Sequence, residues 1–326
     1  MAVLTGPAGV RVGLDIGGTK IDGVALGAAG DVLATSRRPS PSGVGDVVEA
    51  AGRVVADLLD QVAPGGPRAL ASVGIGIPGL VDPRTGTVRS AVNLGFGHEQ
   101  VPLAALVSAV TGHVGVSVEN DVKATALGAS ALLAPGQDLA LLSLGTGLAA
   151  GIVLDGRLLR GGSAAAGEVG HLAVDPAGAL CACGQRGCLE TIASGAALQR
   201  AWPHGGEGRS AQHLFAAAAA GERAAVQVRD RWAAAVALTV RTLALTCDPA
   251  RIVLAGGVAG VGRPLLDAVG GALRAQAAGS AFLRGLALDE RLSLLPGDRP
   301  VAAIGAADLA GHDLVRPLGP GLHGVP

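Results

Sequence analysis

The sequence predicts a two-domain α/β protein with mixed sheets, and three observations carry that prediction. Strand patterns come first in hairpins and then alternate with helical patterns. One hairpin pattern occurs twice: LDIGGTKIDGVAL laid over LSLGTGLAAGIVL aligns strand, Gly-Thr turn and returning strand. At 326 residues the chain is long enough for two domains, each with its own core. Two copies far apart indicate an old internal duplication rather than a solenoid. The cleft between two such halves is the expected ligand site.

Taken in order, VRVGLDIGG, TKIDGVALG and DVLATS read as three short strands joined by Gly-rich turns. Val47, Val48, Ala51, Val54, Val55, Leu58, Leu59 and Val62 then recur at helical spacing on one face. A strand (SVGIGIP), a helix (PLAALVSAV), a strand (HVGVSVEN) and a helix (DVKATALGASALL) follow. The second copy is DLALLSLG, TGLAAGIVL, a DG turn and RLLRGG. Beyond a cysteine cluster the chain reads as mostly helical: GAALQRAW, SAQHLFAAAAA, and a long helix from Glu222 to Thr246 ended by Asp248-Pro249, with GGEGRS as a loop. A strand (RIVLAGG) runs into a helix (PLLDAVGGALRAQ). The expected domains are 1–120 and 121–326, with a last helix near 301–315 returning to the first.

Acidic and basic side chains number 26 and 25, so no long-range field points to nucleic acid or an anionic membrane. The N-terminus lacks the pattern of a signal peptide, and no run approaches the ~18–20 apolar residues of a membrane span. A cytoplasmic location is expected. Aromatic residues are only 2% of the chain, so its cores must be built from small aliphatics. Of four cysteines, Cys247 stands alone and reads as a buried core thiol. The other three, Cys181, Cys183 and Cys188, fall within eight positions, close after His171. Three thiolates and one imidazole make the closed tetrahedral site that structural Zn²⁺ favours, and Glu168 and Glu190 flank it.

Asp15-Ile16-Gly17-Gly18-Thr19-Lys20 stands at a strand-to-strand turn. Gly17 and Gly18 let backbone N–H groups approach a phosphate, Thr19 adds a hydroxyl and Lys20 a charge, and Asp15 can hold Mg²⁺. It is not a Walker A loop, because the spacing differs and a strand follows instead of a helix. Gly145-Thr146-Gly147 repeats the turn in the second half. Two such turns would grip one polyphosphate from both sides, and Gly256-Gly257 is a third close-approach point suited to a nucleotide's sugar or base.

With LDIGGTK, GIPGLVD, VENDVKATALG, LGTG, GEVGH, CACGQRGCLE and VLAGGV in order, the chain resembles the ROK family of sugar kinases from Gly13 to about Ala310. The resemblance implies the two-domain actin-like ATPase (ribonuclease H-like) fold with a central cleft, ATP- and Mg²⁺-dependent phosphorylation of a hexose or N-acetylhexosamine (at the 6-hydroxyl), and a homodimer or homotetramer. It makes Asp121 the catalytic base and Asn93, Asn120, Glu168, His171 and Glu190 sugar ligands, with Gly76 and Pro78 lining the sugar side. His171 would also ligate zinc. Phosphoryl transfer to an alcohol fits this set: it needs a positioned hydroxyl, a carboxylate for its proton and donors on the phosphates. Departures from the family pattern are Lys123 for a small polar residue, Ala129 for a carboxylate, an aromatic shifted from directly after Asn93-Leu94 to Phe96, and Ala in LGTGLAAG where many members have Gly. They leave open a weak, sugar-binding homologue. A sugar-responsive regulator is the other alternative, although LDIGGTK beginning at Leu14 gives no expectation of a helix-turn-helix before it. A polyphosphate donor is a further option.

Overall fold

The computed structural model describes residues 9–63, 70–112, 115–204 and 210–311. The start of the HVGVSVEN strand (113–114), nearly all of the GGEGRS loop (205–209) and the end of the last expected helix (312–315) lie outside the described residues. The chain divides into two compact units, one running to Ala124 and resuming at Ala302, the other spanning Thr125–Val301.

In the first unit, β1 (Val10–Ile16), β2 (Lys20–Leu26) and β3 (Val32–Pro39) form an antiparallel meander. Helix α1 (Val44–Val62) then covers the sheet, burying Val47, Val48, Ala51, Val54, Val55, Leu58 and Leu59, the stripe its spacing predicts. β4 (Leu70–Ile77) returns parallel to β1. The short hairpin of β5 (Leu80–Asp82) and β6 (Thr87–Arg89) follows. Helix α2 (Leu103–Thr111) leads to β7 (Val116–Asn120), parallel to β4, and α3 (Asp121–Leu133) starts directly at its end. The sheet order is β3-β2-β1-β4-β7.

The second unit repeats this plan. β8 (Leu139–Leu144), β9 (Leu148–Leu154) and β10 (Arg157–Leu158) are antiparallel neighbours. After the cysteine segment come α4 (Glu190–Ala193), α5 (Gly195–Ala201), α6 (Ser210–Ala219) and α7 (Arg223–Cys247). Asp248 ends α7 in the left-handed region, φ 42°, and Pro249 follows. β11 (Arg251–Ala255) pairs parallel with β8, and β12 (Leu292–Leu294) with β11, joined by α8 (Arg263–Ala277) and α9 (Ala281–Gly285). The order β10-β9-β8-β11-β12 matches the first sheet, strand for strand.

Helix α10 (Val301–Ala307) belongs, from Ala302 on, to the first unit. It lies so close to β1 and β4 that a Cβ at Gly13 would stand 1.9 Å from the Ala303 carbonyl oxygen, and one at Gly74 1.7 Å from that of Ala306. Those two glycines are what let a helix backbone sit directly on the strands. Strands β5, β6 and β12 escape a sequence reading because three residues carry too little alternation to register. Cys247 is half-buried rather than fully buried: it packs against the margin of the second unit's core at the end of α7, where Leu245 nearby is exposed. Among the described residues no helix is long and apolar enough to cross a membrane.

Candidate functional site

The first unit gathers its chemistry at the C-terminal ends of three parallel strands, where ligands bind in open α/β sheets. Asp15 of β1 lies opposite Gly76 of β4, and Gly76 opposite Glu119 of β7; Ile77 then pairs with Asn120. Asp121 follows at once, with Ala124 of its helix pressed on Gly76, where an added Cβ would be 3.1 Å from the alanine's. The Asn120 side chain donates to the Gly79 carbonyl at 3.4 Å and accepts the Val122 N–H at 3.0 Å, which starts α3. Asp121 also accepts the Val122 N–H, at 2.9 Å. Pro78 ends β4 beside them, part-exposed.

The Gly-Gly turn is tight: the Gly17 N–H donates to the Lys20 carbonyl at 2.9 Å, and Thr19 is exposed. Asn93, on a short 3₁₀ turn, lies against Gly18, where a Cβ would come within 2.8 Å of its own. Asn93 therefore sits at the turn itself, a neighbourhood that spacing alone does not reveal. Lys20 is 2.7 Å from Asp22, so its ammonium is already engaged. Burial pushes Asp22 up, but hydrogen bonds from Arg37 and Lys20 outweigh that and hold it below the usual carboxylate range. Asp15 goes the other way: burial first, then the charges of Asp121 and Asp22, push it up to about 7, with Lys20 opposing. A buried carboxylate whose proton affinity is raised by a neighbouring carboxylate in this way is a natural seat for a divalent cation.

In the second unit the GEVGH segment lies backbone-on-backbone along β9. The Ala150 N–H donates to the Gly167 carbonyl at 2.7 Å, and Cβ atoms at Gly167 and Gly170 would fall 1.9 and 2.1 Å from the carbonyl oxygens of Ala150 and Leu148. Only glycine fits at both positions, so the spacing G-x-x-G fixes where Glu168 and His171 project. Glu168 is exposed and His171 half-buried.

His171, Cys181, Cys183 and Cys188 converge, with their ligand atoms all within 4.8 Å of one another. The Cys181 Sγ is 3.8 Å from His171 Nδ1, and the Cys183 and Cys188 sulfurs are 3.6 Å apart. A tetrahedron with Zn–S near 2.3 Å and Zn–N near 2.0–2.1 Å has edges of about 3.5–3.8 Å. The set can therefore hold a metal ion with all four corners taken by protein. Its protonation agrees: hydrogen bonds from Gln185 bring Cys183 down to about 6, while burial and the neighbouring thiols push Cys188 up to about 12. A bound cation is what lets such crowded thiols all ionise.

Glu190 joins this cluster to the second glycine turn. One carboxylate oxygen stands 3.8 Å from Cys181 Sγ; the other accepts the Leu148 N–H at 3.0 Å, immediately after Gly147. The turn's other side is backed by α5, whose Gly195 N–H donates to the Gly145 carbonyl at 2.8 Å. Beside it opens a pocket of about 330 Å³ lined by Gly145, Thr146, Gly257 and Val258 together with Leu198, Gln199 and Ser210. Gly256, at the end of β11, packs on the backbone of Leu144 at the end of β8. The residues from α5 and α6 are absent from a sequence reading, since nothing in an alanine-rich helix marks the face that lines a pocket.

Residues 11–310 match the model of the ROK family. The chain belongs to the ROK family. This ROK chain is 34% identical over 273 residues to the glucokinase of Thermotoga maritima, covering 78% of itself and 84% of that protein. It is also 34% identical over 247 residues to the N-acetylmannosamine kinase of Citrobacter koseri, at 75% and 82% coverage. Among solved structures, a ROK family glucokinase from Streptomyces griseus in complex with glucose and AMPPNP aligns with TM-score 0.72 and 30% identity, over 94% of this chain and 100% of that one. The fold is thus the mixed α/β, actin-like ATPase fold. The departures from the ROK pattern lie inside it: Lys123 is 4% exposed, Phe96 2%, and Ala129 fully buried, so Phe96 belongs to the first unit's core rather than to a binding surface.

Proposed function

We propose that this ROK chain transfers the terminal phosphoryl group of ATP to the 6-hydroxyl of a hexose, glucose or an N-acetylhexosamine, with Asp121 as the general base. That it is a sugar kinase follows from family membership together with 34% identity to a glucokinase over most of both chains. The observation that best supports the mechanism is the row of Asp15, Gly76, Asn120 and Asp121 along one edge of the first sheet, with Asn93 against the glycine turn.

In this reading Asp121 takes the proton of the attacking hydroxyl, which raises its nucleophilicity as the bond to phosphorus forms. Asn93, Asn120, Glu168, His171 and Glu190 would be the partners of the remaining hydroxyls, with Gly76 and Pro78 lining the sugar. A sugar with several hydroxyls needs such a set of fixed acceptors and donors. The N–H groups of Gly18, Gly145 and Gly147 and the hydroxyls of Thr19 and Thr146 would serve the phosphates, which carry charge that grows on the bridging oxygen, while Gly17 closes its turn on the Lys20 carbonyl. Asp15 would hold Mg²⁺, which supplies charge neutralisation on the phosphates when bound. His171, Cys181, Cys183 and Cys188 would hold Zn²⁺, which keeps the segment bearing Glu168 and Glu190 in shape.

A coupled ADP-release assay over glucose, mannose, fructose, N-acetylglucosamine and N-acetylmannosamine tests this. Turnover is expected with at least one sugar, falling by about 10²–10⁴ in Asp121→Asn while sugar binding persists. No ADP release with any of the five, or an active Asp121→Asn, overturns the reading.

A further inference from the structure

Arg11, Arg38, Arg229 and Arg291 are half-buried, and each stands against a carboxylate. Arg241, on α7, is half-buried too, yet among the described residues it has neither an ion pair nor a hydrogen bond. It lines a pocket of about 360 Å³ between α7, the end of α8, α9 and the segment before β12. A guanidinium offers five donors and no acceptor, and taking part of it out of water without a partner is costly. Such a group on a pocket wall points to an anion.

The other side chains on the wall set the anion's charge and shape. Arg274 is already engaged, 2.7 Å from Asp289. Arg284 donates to the Ala278 carbonyl at 2.6 Å, capping the end of α8. With Glu290, three guanidinium groups face two carboxylates, which leaves one positive charge. A single negative charge balances it, whereas a phosphate dianion would overshoot and be repelled by Asp289 and Glu290. The planar fork of an arginine matches the two oxygens of a carboxylate. Leu273, Leu283, Leu288, Ala277 and Ala287 make the remaining wall apolar. That wall suits hydrocarbon and gives the hydroxyls of a sugar nothing to bond.

We propose that this pocket binds a monocarboxylate with an aliphatic body, its two oxygens held by Arg241. None of the lining residues is among those assigned to the sugar, the phosphates or the metal, and none is shared with the pocket at the Gly145-Thr146 turn. The site is therefore additional to the kinase site and does not depend on that reading. Arg241 is a binding residue and takes no part in phosphoryl transfer.

The experiment is calorimetric titration of the full chain with octanoate at low salt. Wild type should show one site per chain with a dissociation constant of about 1 mM or tighter. Arg241→Gln keeps a polar amide but loses the charge, and should weaken octanoate at least about tenfold, the size of one lost charge-assisted hydrogen bond. Octan-1-ol, the same body without the charge, should bind both proteins alike. The ligand-free melting temperature of Arg241→Gln should stay level or rise, because an unpaired half-buried charge has been removed, and its hexose phosphorylation should be unchanged. Leu283→Asp, which adds a negative charge on the α9 wall, should weaken octanoate as well. No octanoate binding by wild type at about 10 mM, or equal affinity in wild type and both variants, overturns the site. So does Arg241→Gln with octanoate affinity intact and its oligomeric state altered, which would assign the arginine to a carboxylate of a second copy.

Discussion

Asp15 shows how much one side chain reports about its surroundings. Its position before Gly17-Gly18 is legible as spacing, but its state depends on burial and on Asp121, which is far from it along the chain. With the carboxyl raised from 3.8 to about 7, the folded protein holds this proton more tightly than the unfolded chain does. The stabilising contribution is therefore complete below pH ~4 and is lost as pH rises through about 7. Asparagine cannot ionise, so Asp15→Asn removes that slope. Without nucleotide or divalent cation, Asp15→Asn should gain on wild type between pH 5 and pH 8 by about 2–3 kcal/mol, roughly 4–12 °C in melting temperature. The same variant should lose Mg²⁺-dependent turnover. Paired melting curves across that pH range check it, and a difference that stays constant with pH contradicts it. Asp22, held down by Arg37 and Lys20, contributes in the opposite sense in both proteins and cancels in the comparison.

At the scale of elements, the segment from Gly167 to Glu190 is anchored twice. Glycine contacts hold its first end on β9, and Glu190 holds its last end on the Leu148 N–H. Between them lies the one group of side chains among the described residues that could hold a metal ion, His171 with the three cysteines. Much of this was legible, since Cys-x-Cys and Gly-x-x-Gly spacings carry their own geometry. The link from Glu190 to the second turn was not, because it joins residues 42 apart through a single backbone N–H. On the proposed reading, a segment so short of apolar burial would depend on its metal for shape. Elemental analysis should find one zinc per chain, and chelation should lower hexose affinity at least about tenfold, by calorimetry, while the melting transition of the first unit stays in place. Unchanged hexose binding after verified metal loss would contradict this.

The whole molecule is one plan written twice, with the same strand order in both sheets, and the Gly-Thr overlay let the sequence disclose it. The sequence also leads one to expect a last helix returning to the first domain near 301–315, but the overlay cannot disclose the contact by which it does so. That depends on Gly13 and Gly74, whose role exists only when α10 lies across β1 and β4. In sequence they are two glycines among 53. A methyl at Gly74 would stand 1.7 Å from the Ala306 carbonyl oxygen, and a helix backbone cannot yield as a flexible side chain can. Gly74→Ala should therefore cost about 3 kcal/mol or more, at the upper end for overpacking. The loss should fall on the first unit, because the contact lies wholly within it. Calorimetry should then show an early transition separating from a later one that keeps its wild-type position. The capacity to hold a metal, which would rest on His171, Cys181, Cys183 and Cys188 of the second unit, should persist as hexose phosphorylation disappears. A single transition shifted as a whole, with metal content lost at the same time, would show instead that the second unit does not stand without the first.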